Sequence, residues 1–318
     1  MREISSGLRF PEGPVALGDG SVLVVEIERG TLSRVAADGS VSVVADCGGG
    51  PNGAAIGPDG AVYVCNNGGF DWHRGGGRLA PGNQPDGYLG GRVQRVTFDG
   101  EVTDVCTSAG GHPLRGPNDL VFDADGGFYF TDHGKRRERD SDRGGLYYAT
   151  VDGSRIEEIA YPLHDPNGVG LSPDGERVYV AETMTGRVWY WEIEAPGRLR
   201  RAPGPGPAGA TLLHGFGGYQ LLDSLAVDSE GNVCVATLIT GAISVLSPDG
   251  ALEDVVRTPE TDYYVTNICF GGPDLRTAYI TSSGLGKLYA AQWDRPGLPL
   301  NFGAEHGAAG ARDSMSTS

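Results

Sequence analysis

PNGVGLSPDGERVYVAE, residues Pro166 to Glu182, reads as a hairpin. A short apolar run follows an Asn, Pro-Asp-Gly makes the turn, and a Val-Tyr-Val strand returns. Nearly the same stretch recurs at Pro51 (PNGAAIGPDGAVYVCNN) and Pro117 (PNDLVFDADGGFYFTDH). Looser copies begin at Glu12 (EGPVALGDGSVLVVEI), Asp223 (DSLAVDSEGNVCVAT) and Thr266 (TNICFGGPDLRTAYITSS). The starts fall roughly 40 to 65 residues apart, the spacing of propeller blades with loop insertions. Helical periodicity is nearly absent, while Val/Tyr/Phe runs alternate with Gly, Asp and Pro clusters throughout.

The expected fold is therefore all-β, a six-bladed β-propeller with four-stranded blades and a central metal site, formed as one domain by residues 1–300. The last blade stops after KLYAAQWD, and the leading REISSG is expected to supply its missing outer strand and close the ring. In the fourth blade a weak outer strand is expected around Leu199 to Ala202. Residues 301–318, rich in Ala, Gly and Ser, are expected to be a disordered tail. Two segments interrupt the repeat, a Gly-rich insertion from Asn66 to Arg92 and a charged one from His133 to Gly145. Insertions of that length in a compact domain are usually lids or binding loops.

A formal charge of −16 leaves no basic field for nucleic acid. No run approaches the roughly 18 apolar residues of a membrane span, and the N-terminus lacks an apolar signal core, so a cytoplasmic protein is expected. Five scattered Cys with no CxxC read as reduced, buried thiols. The absence of a Gly-x-Ser-x-Gly elbow gives no support for a serine hydrolase.

In a propeller the first strand of each blade lines the central tunnel, so its opening residues converge on the axis. Glu12, Asn52, Asn118, Asn167, Asp223 and Asn267 are expected to form that ring, with Glu26, Asn66, Asp132, His133, Glu182 and Thr237 at the rim. Carboxylates and amide oxygens without Cys are hard donors suited to a divalent ion: Ca²⁺ first, with Mg, Mn, Zn or Fe as alternatives. The competing reading is that Asn and Asp open these strands because they make turns. The set of six, with Glu12 outside the usual turn residues, favours the metal.

FPEGPV at Glu12, GPNDLVFDADGGFYFTD at Asn118, DPNGVGLSPDGERVYVAET at Asn167 and DSLAVDSEGNVCVA at Asp223 resemble the senescence marker protein/gluconolactonase/luciferin-regenerating family, over roughly residues 8 to 294. The resemblance implies a metal-dependent hydrolase opening a sugar or related small lactone. The implied metal ligands are Glu12, Asn167 and Asp223, with Asn118 a fourth ligand or a substrate contact. Three departures stand out: Asp223 is followed by Ser224, Arg115 lies three residues before Asn118, and His133 follows Asp132.

The catalytic candidates are Asp223 as base and His133 as base or proton shuttle; the substrate-binding candidates are Asn118, Arg115 and Trp72. A small-molecule substrate is the expected partner. The other readings are a phosphotriesterase-like hydrolase, a strictosidine-synthase-like biosynthetic enzyme, and a non-enzymatic calcium-binding or interaction propeller.

Overall fold

A computed structural model describes residues 1–303. Six antiparallel sheets follow one another around an axis. Their innermost strands are Pro11–Ala16, Pro51–Ile56, Pro117–Phe122, Pro166–Leu171, Leu222–Val227 and Val265–Gly271. Each pairs outward with the strand after the turn, and the apolar faces of neighbouring blades meet to build the core. Val25 and Leu32 of the first blade pack with Val62 and Val64 of the second. Phe122 and Phe128 of the third blade cluster with Tyr63 of the second, the rings of Tyr63 and Phe122 lying 5.2 Å apart edge to face.

The leading strand closes the ring as the sequence led us to expect. Arg2–Ser5 pairs antiparallel with Lys287–Gln292, matching Arg2 to Ala290 and Glu3 to Tyr289. The sixth blade thus joins both chain ends, and the first blade packs on it through Val22, Val24 and Leu288. The fourth blade has the expected short outer strand and a second one besides. Its third strand, Arg187–Ala195, is long enough to carry two outer partners, Arg198–Arg200 at one end and Thr211–Gly215 at the other. Four of the five free thiols are buried, whereas Cys269 is only partly so. Of the expected tail, Asn301 and Phe302 dock on the third blade, where the Asn301 amide donates to the Phe122 carbonyl at 2.9 Å. Residues 304–318 lie outside the described part. Among the described residues no helix is long and apolar enough to cross a membrane.

Each inner strand carries a register shift near its start, between Glu12 and Val15 in the first blade and between Pro166 and Val169 in the fourth. A bulge of this kind re-aims side chains. It also brings neighbouring inner strands close together. A Cβ on Gly168 would lie 2.5 Å from the Leu225 amide nitrogen, and one on Gly13 would lie 2.5 Å from the Asn52 carbonyl oxygen. The glycine after the ring residue is thus demanded by the approach of the next blade.

Candidate functional site

Strand pairing sets which residues share a level on the axis. Pro11 faces Glu26 and Val15 faces Leu23 in the first blade; Val265 faces Ser282 and Cys269 faces Tyr279 in the sixth. The two strands are therefore equivalent residue for residue, and Thr266, not Asn267, occupies the position of Glu12. The ring is Glu12, Asn52, Asn118, Asn167, Asp223 and Thr266. Asn267 belongs one step further along, level with Gly13, Gly53, Asp119, Gly168 and Ser224. This corrects the expected ring, and it reveals a second polar tier of Asp119, Ser224 and Asn267 beneath it. The Asn at position 267 looked like the other strand-opening Asn residues; only the pairing shows the one-residue offset.

The tiers are bonded to each other. Glu12 Oε2 accepts the Gly13 amide at 2.6 Å and the Asn267 side-chain amide at 2.7 Å. Ser224 Oγ donates to Asn167 Oδ1 at 3.3 Å, and Asn167 Nδ2 donates to Thr183 Oγ1 at 3.2 Å. Asp223 accepts the Ser224 amide at 3.1 Å, and Asp119 accepts the Leu120 amide at 2.9 Å. Two acceptors remain: Glu12 Oε1 and Asn118 Oδ1 are buried without a hydrogen-bond partner. An orphaned buried acceptor costs about 1–3 kcal/mol, more when charged.

The electrostatics agree. Burial raises the Glu12 carboxyl above its ordinary value despite bonds from Asn267 and Gly13. Burial, and then the charge of Glu12, push Asp223 well above the usual carboxylate range. The same two causes push Asp119 up to about 7. Three acids thus resist ionising together, with burial the leading cause for each. Among the described residues no three His, Cys, Asp or Glu side chains come together as a metal-holding group. A centre here would be a mixed one, built from amide as well as carboxylate oxygens.

The expected rim divides. Glu26, Asn66, Asp132, Glu182 and Thr237 pair with Pro11, Pro51, Pro117, Pro166 and Leu222 at the ring end of their blades, and all five are buried. Four of them tie down the backbone that enters their own blade. Glu26 accepts the Arg9 amide, Asn66 that of Gly50, Asp132 those of Arg115 and Gly116, and Glu182 that of His164. His133 is partly buried beside Asp165, its Nδ1 3.8 Å from Oδ1. Burial lowers its imidazole to about 4, with Asp165 only partly offsetting that. Arg115 reaches Asp142 at 3.3 Å, and its carbonyl accepts the Tyr88 hydroxyl.

Both insertions meet above the ring face. The longer one forms a hairpin, Trp72–Gly75 with Arg78–Pro81, that crosses from the second blade to the sixth. There the Leu79 amide donates to Gly284 at 2.9 Å and Arg78 to Thr261 at 2.7 Å. Trp72 packs at a tilt against Phe10, ring centres 5.2 Å apart, and Phe10 in turn meets Tyr264 at 5.6 Å. Lys135, from the shorter insertion, joins the two. Its Nζ donates to Asn67 Oδ1 at 3.1 Å and Gly69 O at 2.6 Å, and lies 3.9 Å from the centre of the Phe70 ring.

Fold and site define a six-bladed propeller with an axial ring of oxygen donors beneath a two-part cover. The profile described as the SMP-30/gluconolactonase/LRE-like region matches residues 10–284, and the chain belongs to that family. Gluconolactonase of Zymomonas mobilis is 26% identical over 310 residues, covering 88% of this chain and 78% of that protein. Lactonase drp35 of Staphylococcus aureus is 30% identical over 212 residues, 67% of this chain and 58% of that protein. The Staphylococcus haemolyticus lactonase drp35 is 35% identical over 133 residues, 42% and 39% of the two chains. The matched region thus spans less than two thirds of either staphylococcal protein. Regucalcin from Agrobacterium tumefaciens shares the fold at a TM-score of 0.72 and 18% identity, over 95% of this chain and 97% of its own. A gluconolactonase from Xanthomonas campestris does so at 0.70 and 21%, over 93% and 88%.

Proposed function

We propose that the chain is a metal-dependent lactonase-type hydrolase acting on a small lactone at the ring. The observation that carries this reading is the pair of buried acceptors without a hydrogen-bond partner, Glu12 Oε1 and Asn118 Oδ1, in a ring where burial raises both carboxyls. Glu12, Asn118, Asn167 and Asp223 would hold a divalent ion, with Ca²⁺ put forward first because all four offer hard oxygen. Bound there, the ion would supply Lewis acidity toward a carbonyl oxygen.

The chain's own residues do the rest. Asp223 is the ring acid left partly exposed, and its Oδ1 is oriented by the Ser224 amide. Its carboxylate would hold the attacking water and take its proton. Asn167 is fixed from both sides by Ser224 and Thr183, so its oxygen is pre-set. Trp72, packed on the buried Phe10 side chain, would form an apolar wall above the ring. His133 is given no proton-transfer role, because it lies against Asp165 with its basicity lowered by burial. The family resemblance and the named lactonase relatives support this choice of reaction.

The experiment is a panel of sugar, aliphatic and aryl-fused lactones, with a phosphotriester as control. Each is assayed after chelation and after return of single metals. Activity lost on chelation and restored by one ion supports the reading. Lactone hydrolysis unaffected by chelation, or by Glu12→Gln with Asp223→Asn, overturns it.

A further inference from the structure

A cavity opens away from the ring mouth. It lies on the other side of the second tier, in the half of the tunnel that opens on the opposite face, and has a volume of about 520 Å³. Gly13, Asp119 and Asn267 form its inner end, and none of Glu12, Asn52, Asn118, Asn167 and Asp223 lines it. Its wall is apolar. Ala16, Ala54, Val121, Ala226, Cys269 and Phe270 are inner-strand residues left partly exposed, and all six line this space. A concave, mostly apolar space of roughly 300–1,000 Å³ with few polar groups is the usual form of a small-molecule site.

The chain closes the outer opening of this cavity with its own C-terminal segment. Arg295 is anchored on buried Asp228 at 2.9 Å. The amides of Gly297 and Leu298 then donate to the Leu275 and Val227 carbonyls, at 2.8 and 3.0 Å, on the sixth and fifth blades. By residues 301–302 the segment has reached the third blade, where Phe302 meets Phe122 edge to face at 5.9 Å. The third and sixth blades are opposite in a six-fold ring, so residues 297–303 form a strap across the opening. Beyond Leu298, the bonds that hold it are the Asn301 amide and the Phe302 ring.

Charge narrows what can enter. Asp125 and Asp174 are exposed at the same opening, and among the described residues no Lys, Arg or His lines the cavity. We propose that this axial cavity is a second ligand site, separate from the ring mouth and gated by the strap. Its ligand is a slender apolar molecule with a cationic end, of the alkylammonium class. The chain of such a molecule lies along Val121, Ala226 and Phe270, and its head remains between Asp125 and Asp174.

The test is calorimetric titration of the full, metal-loaded chain, below micellar concentrations, with decylammonium, decanol and decanoate. Decylammonium is expected to bind at one site, at least about tenfold more tightly than decanoate, a difference of about 1.4 kcal/mol. Ala226→Phe, which fills the space, is expected to weaken binding by at least about tenfold with the thermal melt retained. Val121→Phe is the parallel variant should the first not fold. A chain ending at Pro296 is expected to bind and release the ligand faster. Three ligands bound alike, non-saturating binding, or affinity unchanged in a folded filling variant overturns the proposal. So does displacement of decylammonium by a lactone competing for the same site, since that places it at the ring mouth.

Discussion

The Asn267 side-chain amide donates to Glu12 Oε2 at 2.7 Å, across the seam where the last blade meets the first. One tier therefore orients the other, and the oxygen left free on Glu12 is set by a residue that is not itself in the ring. Replacing Asn267 with Leu keeps the branched outline but removes the donor. Loss of an outer-shell partner of this kind typically costs about 10–100-fold in metal affinity. We expect Asn267→Leu to weaken Ca²⁺ binding within that range, while Glu12→Gln weakens it further. Calcium titration of both variants checks this, and wild-type affinity in Asn267→Leu would show that the seam bond does not orient Glu12.

Asp119 gives a prediction in pH. Its folded carboxyl is raised, to about 7, so the folded chain holds a proton that the unfolded chain releases at an ordinary carboxylate pKa near 3.9. Such a group contributes stability that is fully present below the unfolded value and is lost as pH rises through the folded one. In chelator, Asp119→Asn is therefore expected to match wild type near pH 4 and to be more stable by pH 8. The gap at high pH is on the order of a few kcal/mol, since each tenfold change in proton affinity corresponds to about 1.4 kcal/mol. Melts of the two proteins from pH 4 to 8 give the comparison. Parallel curves would mean that Asp119 is not held protonated by its surroundings.

The repeated hairpin made the blade count and the closure by REISSG readable, because turn chemistry and apolar alternation are local signals. Glu12, Asn118, Asn167 and Asp223 were readable for the same reason, as each occupies the same place in the repeat. The sixth ring position was not. Counted from the flanking pairs, Thr266 falls at the ring position and Asn267 below it, although Asn is the residue type that opens three of the other strands. Asp119 was missed because its neighbour Asn118 carried the motif, while the equivalent places in three other blades are Gly. The rim acids lie at the expected strand ends, where a side chain can face the mouth or turn back to bind the preceding loop. For Glu26, Asp132 and Glu182 burial and backbone donors decide for the latter.

Closure of the ring can be tested by removing residues 1–8. That deletion exposes the edge of Lys287–Gln292 and withdraws Leu8, which is 4% exposed in the wild-type fold. Fully burying a Leu side chain is worth about 1.5–3 kcal/mol, before the lost strand bonds are counted. We expect the melting temperature to fall by more than about 8 °C, with increased self-association through the open edge. An unchanged melt would show that the sixth blade is complete without its N-terminal strand.

Asp223 and His133 separate as base candidates by substitution. Asp223→Asn keeps the shape and removes the proton acceptor, a change in acid–base catalysis typically costing about 10²–10⁴-fold. His133→Ala removes an imidazole that burial already keeps neutral, with Asp165 as its neighbour. We expect kcat to fall within that range for the first and by less than about tenfold for the second. The reverse order would transfer the role to His133.

Lys135 holds the cover together from the inside. Its Nζ has two oxygen partners on the longer insertion and the Phe70 face beside it, and burial lowers its ammonium to about 7. Lys135→Met keeps the apolar stem but leaves Asn67 Oδ1 and Gly69 O without this donor. Asn67 Oδ1 keeps the Gly69 amide as a donor, while a buried carbonyl left unpaired costs about 1–3 kcal/mol locally. The expected result is faster proteolytic cutting within residues 66–92, because the open form of that insertion is more populated. The global melt should change little, since the blades pack without this contact. In lactone hydrolysis KM should rise more than kcat falls, because the cover positions substrate but supplies no proton acceptor. Cutting at the wild-type rate, with KM unchanged, would show that the hairpin is held by Arg78 and Leu79 alone.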